Sequence, residues 1–311
     1  MKVISLTAAA TLMSAGAQSA ATLDKRAVAY ALGNDGTTLV QVASHTGMTS
    51  AVTLSFDGGA AISLDSIAYR PKTGELYGYD DFSNNVYLID RVTGMATVVA
   101  NGPDTTVSAN VGFDFNNNLD AARIVTAEDE NLVFFPNNMP PTVERKTDLF
   151  YAAGDPNEGA DPNVVMNAYT NAVPDATTTF QYVIDTELDL LASLANNAGT
   201  LTSIGNLTYG GSVFDITEKG GFDILSFFEG NNTAYALLTA QDGMQGIYSF
   251  ALTTTMGDVP LTLIAALPST YGELNGLAVM AAEVPVPATL GLLVTGIGGI
   301  AAMRRRRDKA A

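Results

Sequence analysis

The chain has 311 residues with no Cys, no Trp and a single His, His45, and its 32 acidic residues outnumber 15 basic ones for a formal net charge of −17. Without Cys there are no disulfides, thiolate metal sites or thiol nucleophiles, and one His cannot form a metal-binding His pair. The acid excess argues against nucleic acid or anionic lipid headgroups as partners.

Residues 1–21 hold Lys2, then the apolar run Val3 to Met13, then the small residues SAGAQSAA. That is the three-part pattern of a secretory signal peptide, with cleavage expected after Ala17 or Ala21. The bland alternative is a buried N-terminal strand or helix.

The body, residues 22–283, reads as a repeat. Its fullest copy is Ser66 to Ala100, in which SIAY, LYGY, VYLID and MATVVA are separated by RPKTG, DDFSNN and DRVTG. Short runs rich in Val, Ile, Tyr and Thr, bounded by Gly, Asn, Asp and Pro, are strands joined by tight turns. A four-stranded sheet with two apolar faces cannot bury both alone, whereas repetition about an axis buries each against a neighbour.

Upstream, Ala27 to Leu54 shows the second to fourth strands of this unit without a first. Val111 to Asn138 supplies GFDF, ARIVT and NLVFF, with TDLFYAA from Thr147 expected as its fourth strand. VMNAYTN, TTFQYVID, LDLLASL and TLTSIGNL make the next unit, and Gly220 to Leu267 another. LNGLAVMAA, Leu274 to Ala282, is a lone first strand that completes the N-terminal unit. The expectation is an all-β propeller of five blades, each of about 45 to 55 residues, closed by the C-terminal strand in the first blade. A sixth blade stays open if 142–163 holds further strands.

The last 28 residues run VPVPATLGLLVTGIGGIAAMRRRRDKAA. Ala288 to Met303 is uncharged for 16 residues, short for a bilayer span, and Arg304, Arg305, Arg306 and Arg307 follow at once. A transmembrane helix with its Arg cluster on the cytoplasmic side is expected. The order of Val284-Pro285-Val286-Pro287-Ala288, hydrophobic segment and basic cluster resembles the PEP-CTERM sorting signals with a VPLPA-type motif, with Val286 in place of the commonest Leu. That resemblance implies an exosortase-type membrane peptidase as partner, transient anchoring in the inner membrane, and release or re-anchoring at the cell surface. Six of the basic and one of the acidic residues lie in these two ends, so the body carries 9 against 31, a net charge near −22.

Three groups of side chains offer chemistry. Asp114 in GFDF and Asp223 in GFDI fall at equivalent places on first strands, with Ala68, Thr170 and Ala278 expected at the others. First strands line the axis, so two carboxylates and a hydroxyl meeting there would make a cation site or an acid/base pair. Alternatively each Asp holds a backbone amide or Arg123 and ties blade to blade. In the loop Gly154 to Asn163, Asp155, Asn157, Glu158, Asp161 and Asn163 are hard oxygen ligands suited to Ca2+, although the spacing is not that of an EF-hand. The same residues also make turns. His45 sits in the turn ASHTG, a poor place for a triad base, and no G-x-S-x-G elbow exists. The sequons at Asn206 and Asn231 carry little weight under the bacterial origin that the tail's resemblance implies.

The segments GFDFN, RIVT, YAAGDPNEGADPNVVMNAYTN, YVID, GGFDI, NTAYALLT, IYSF and LNGLAV resemble the secreted bacterial family catalogued as domain of unknown function 4394, from about Ala27 to Ala281. The resemblance implies a propeller-like body and no particular activity. The expected function is an exported cell-surface or extracellular-matrix protein with a non-catalytic binding or structural propeller, its partner a surface polysaccharide or protein. The alternative is a secreted carbohydrate-active hydrolase using Asp114 and Asp223, with Tyr and Phe replacing the Trp on which such sites usually stack sugars.

Overall fold

The structure, a computed structural model, describes residues 23–43, 47–56, 59–103 and 110–282. The expected signal peptide, the whole sorting tail with its motif and Arg cluster, and His45 lie outside the described residues. Among the described residues no helix is long and apolar enough to cross a membrane.

The described strands in chain order begin with β1 (Ala27–Gly33), β2 (Thr38–Ala43), β3 (Gly47–Thr53) and the short β4 (Ser55–Phe56). The repeat unit read at Ser66 to Ala100 is β5 (Ser66–Arg70), β6 (Glu75–Asp80), β7 (Asn85–Ile89) and β8 (Met95–Asn101). There follow β9 (Val111–Asn116), β10 (Ala121–Thr126), β11 (Asn131–Phe135) and β12 (Thr142–Arg145). Next come β13 (Phe150–Tyr151), β14 (Val164–Tyr169), β15 (Gln181–Asp185), β16 (Leu190–Leu194), β17 (Thr200–Tyr209) and β18 (Ser212–Val213). The last are β19 (Ile216–Ser226), β20 (Asn232–Ala240), β21 (Gln245–Phe250), β22 (Val259–Pro260), β23 (Thr262–Leu267) and β24 (Asn275–Ala281).

These strands form five sheets, ordered β24-β1-β2-β3, β4-β8-β7-β6-β5, β12-β11-β10-β9, a seven-stranded sheet built on β17-β16-β15-β14, and β19-β20-β21-β23. The inner strands touch in cyclic order β24, β5, β9, β14, β19 and back to β24. The architecture is all-β and propeller-like. β24 lies antiparallel to β1, with Ala29 opposite Val279 and Ala31 opposite Leu277.

Two sheets depart from the four-stranded unit. β4 adds a parallel edge to β8, and β13 joins β17 in parallel rather than ending the unit before it. The fourth strand expected at TDLFYAA is therefore supplied by β12, which pairs Val143 with Phe134. Both segments have strand-forming residues; Thr142 to Arg145 lies close enough after β11 to turn back on it, while Leu149 and Tyr151 are buried in the next core layer. The strands within 142–163 thus extend existing sheets.

Tight turns follow from local chemistry. In DRVTG, the Asp90 carboxylate accepts from the amides of Val92 and Thr93 at 2.8 and 3.0 Å. Gly94 then adopts φ +74°, and a Cβ there would sit 2.2 Å from the Thr53 carbonyl of the neighbouring sheet. Only Gly fits such a left-handed, closely approached position.

The core consists of side-chain layers between neighbouring sheets, which is why β9, β10 and β14 are buried along their whole length. Tyr77 meets Phe115 and Phe134 with ring centroids 5.3 and 5.8 Å apart between the second and third sheets. Tilted aromatic pairs of this kind add about 0.5–1.5 kcal/mol each beyond area burial. At the C-terminal end of β5, Arg70 forks onto Asp120 of the next sheet through Nε at 2.7 Å and Nη2 at 2.5 Å. Close to the axis, Gly221 of β19 lies so near β24 that an added Cβ would stand 2.3 Å from the Leu277 nitrogen.

Candidate functional site

Asp114 and Asp223 sit on inner strands β9 and β19, and both are buried. Asp114 Oδ2 accepts from the Tyr169 amide of β14 at 2.7 Å. Asp223 Oδ2 accepts from the Val279 amide of β24 at 2.5 Å, and its Oδ1 from the Ile224 amide at 2.6 Å. Each carboxyl therefore bonds the backbone of the next inner strand, the blade-to-blade role weighed against a cation site or acid/base pair. Burial pushes both acids up: Asp223 to about 7, and Asp114 well above the usual carboxylate range with the Asp223 charge adding to the effect.

The residues preceding the amides held by these acids are Ala168 and Ala278. Ala168, not Thr170, thus takes the equivalent position on β14. Ala168 stands opposite Tyr182 of the second strand as Asp223 stands opposite Tyr235, and the Thr170 hydroxyl instead accepts from the Phe180 amide at 2.8 Å. Sequence spacing alone did not reveal that pairing. Asn167, fully buried between β9 and β14, has no partner for either side-chain polar atom among the described residues. The void it lines with Gly112, Gly221 and Leu277 is too narrow to hold a water molecule.

At the N-terminal end of the inner strands, polar side chains link the sheets. Glu218 accepts from Asn110 Nδ2 at 2.6 Å and Asn163 Nδ2 at 2.8 Å. Asn275 accepts from the Gly220 amide at 2.9 Å and donates to the Asp65 carbonyl at 2.6 Å.

The Gly154 to Asn163 loop spends its oxygens on its own turns and on Ser203 of β17. Asp155 accepts through Oδ1 from the Asn157 amide and Ser203 Oγ, at 2.9 and 2.6 Å, and through Oδ2 from the Ser203 amide at 2.7 Å. Asn157 Nδ2 donates to Ser203 Oγ at 2.9 Å, and Glu158 Oε2 accepts from the Gly154 amide at 2.7 Å. Asp161 faces Asp129, which burial and that neighbouring acid push up to about 7. Among the described residues, no three His, Asp or Glu side chains are grouped so as to hold a metal ion.

Two open clefts lie in the first two sheets. One, of about 510 Å3, is lined by Tyr30, Gln41, Ser50, Arg91, Val92 and Met280. Its Arg91 guanidinium donates to Met280 Sδ at 2.7 Å. The other, of about 580 Å3, is lined by Phe56, Phe82, Ser63, Asp65, Ser83 and Asn85 among others.

In the second cleft Asp65 Oδ2 accepts from the Asp81 amide at 2.8 Å, while Oδ1 takes no partner among the described residues. Burial, with Asp80 and Asp81 nearby, pushes Asp65 up to about 7. Asp80 caps the turn, accepting from the Phe82 amide at 3.1 Å and Ser83 Oγ at 2.5 Å. The cap leaves Phe82 81% exposed at the rim. Phe56 and Tyr87 stand behind, ring centroids 5.8 Å apart. Sequence reasoning singled out neither Asp65 nor Phe82. The available signal was an aromatic residue inside the polar turn DDFSNN, with an acid directly before the first strand of the same unit.

Comparison with known proteins establishes the family. Residues 38–265 match the model described as domain of unknown function (DUF4394), and the chain belongs to that family. No curated protein matches. Among solved structures, an auxiliary nutrient binding protein from Bacteroides thetaiotaomicron aligns at 11% identity and TM-score 0.39, covering 67% of this chain and 55% of its own. The chain thus spans little more than half of that protein. A gluconolactonase from Xanthomonas campestris aligns at 11% identity and TM-score 0.45, covering 83% of this chain and 79% of its own. The β-propeller domain of Cps50 from Myceliophteria thermophila aligns at 15% identity and TM-score 0.40, covering 78% and 71%.

Proposed function

We propose that this member of the DUF4394 family is an exported cell-surface or extracellular-matrix protein whose body is a non-catalytic binding propeller of five blades, closed by β24 on β1. Its partner is a surface polysaccharide or protein. The observation that carries this reading is the use of Asp114 and Asp223 as acceptors for the Tyr169 and Val279 amides. Carboxyls engaged in joining strands, beside an axis too narrow for water, are poorly placed to flank a scissile bond and activate a nucleophile.

The tail supports delivery: Val284 to Ala288 directs processing by an exosortase-type peptidase while Ala288 to Met303 holds the protein transiently in the inner membrane. Exported protein recovered from cells, exposed to a panel of polysaccharides and surface proteins, is expected to bind without turnover. Glycan turnover that disappears in Asp223→Asn, with folding retained, would establish the hydrolase instead. Mass spectrometry of cell fractions tests delivery, since a surface form that always retains Arg304 to Arg307 refutes processing.

A further inference from the structure

The cleft on the second sheet has a lining that selects a ligand class. Its apolar lining is Phe56, Ile62 and Phe82, the last 81% exposed. Beside these, Asp65, Ser63 and Ser83 bring oxygen atoms to the same lining. Two of these are already committed, because Ser63 Oγ donates to the Asp35 carbonyl at 2.5 Å and Ser83 Oγ to Asp80 at 2.5 Å. A hydroxyl that donates keeps its lone pairs; Ser83 gives one to the Tyr87 hydroxyl at 3.1 Å, and each serine retains acceptor capacity. Asp65 brings Oδ1, which no described residue uses. No Lys or Arg lines the cleft among the described residues.

A ligand matching this lining has one apolar face and an edge of hydroxyl groups, and it bears no negative charge. The volume, about 580 Å3, lies in the range of small-molecule sites. Phe82 is 81% exposed although a polar side chain would serve the turn equally well. An exposed ring beside hydrogen-bonding groups offers an apolar face that a ligand can cover.

We infer that this cleft binds an uncharged sugar ring of a polysaccharide, the ring's CH face lying on Phe82 and its hydroxyls bonded to Asp65. The hydroxyls donate to Asp65 Oδ1 and to the lone pairs of Ser63 and Ser83, while the body's net charge near −22 and the neighbouring Asp80 and Asp81 repel uronate-bearing chains. This inference rests on the binding-module reading and specifies its site and ligand.

The test is an array of uncharged glycans, uronate-containing glycans and extended peptides, probed with exported wild-type protein and with the Phe82→Ala and Asp65→Asn variants. Both substitutions are mild for the fold, since Phe82 is exposed and the side-chain carbonyl introduced by Asp65→Asn can still accept from the Asp81 amide; unchanged melting temperatures confirm this before binding is compared. Uncharged glycans are expected to bind, about tenfold more weakly with Phe82→Ala and several-fold more weakly with Asp65→Asn. Glycan binding unaffected by either substitution overturns the site while leaving the binding-module reading intact. Preference for uronate glycans, or binding of peptides alone, overturns the ligand class. Turnover, or failure of every probe to bind, overturns both.

Discussion

Asn in place of Asp223 separates the hydrogen bond between β19 and β24 from the charge that burial penalises. Burial pushes Asp223 up to about 7 from an ordinary value of 3.8. Between those values the folded chain holds a proton that the unfolded chain has released, so stability falls as pH rises through the window. Three pH units at about 1.4 kcal/mol each give an effect on the order of 4 kcal/mol, fully present below pH 4 and lost above pH 7. Asn cannot ionise, yet its Oδ1 can still accept from the Val279 amide. Urea unfolding at pH 5 and pH 9, with midpoints compared at constant m, reads the difference. The variant is expected to be slightly less stable than wild type at pH 5 and more stable at pH 9. Asp223→Ala, which leaves the Val279 and Ile224 amides without a side-chain acceptor, should be about 1–3 kcal/mol per amide less stable than Asp223→Asn at both values, since neither variant ionises. Parallel pH curves for wild type and Asp223→Asn would refute the reasoning.

Gly221→Ala should force β19 and β24 apart, since its Cβ would stand 2.3 Å from the Leu277 nitrogen; overpacking of this kind costs about 1–3 kcal/mol or more, and an unchanged melting temperature would contradict the close approach. A chain ending at Gly272 lacks β24, leaving β1 without its inner partner and the core layer without Leu274, Leu277 and Val279. It should unfold without cooperativity in urea, and a sharp transition equal to that of the full chain would refute closure by β24. Calcium up to millimolar levels should leave the melting temperature unchanged, because Asp155 already spends both oxygens on Asn157 and Ser203. A concentration-dependent rise, abolished by Asp155→Asn with Asp161→Asn, would restore the loop as a calcium site.

The repeat was legible in the sequence because its causes are local. Strand-forming runs such as VYLID, and turns such as DRVTG with Asp90 as acceptor and Gly94 left-handed, depend on residues within five positions of one another. The orphan LNGLAVMAA had to find a sheet lacking an inner strand, so its pairing with β1 also followed from counting units. Tertiary structure decided what spacing could not express. On β14 it is Ala168 rather than Thr170 that stands opposite the second-strand Tyr182, as Asp223 stands opposite Tyr235, and Phe150–Tyr151 pairs with β17 of the next sheet, where the Tyr151 side chain is buried. The fate of the carboxylates was equally illegible: Asp114, Asp155 and Asp223 look alike as residues that can bind a cation, cap a turn or move a proton. Which of these each one does depends on which backbone amide lies within 3 Å and whether water reaches it. Those amides, Tyr169, Ser203 and Val279, lie 55, 48 and 56 residues away in the chain, a proximity created only when the sheets pack around their common axis.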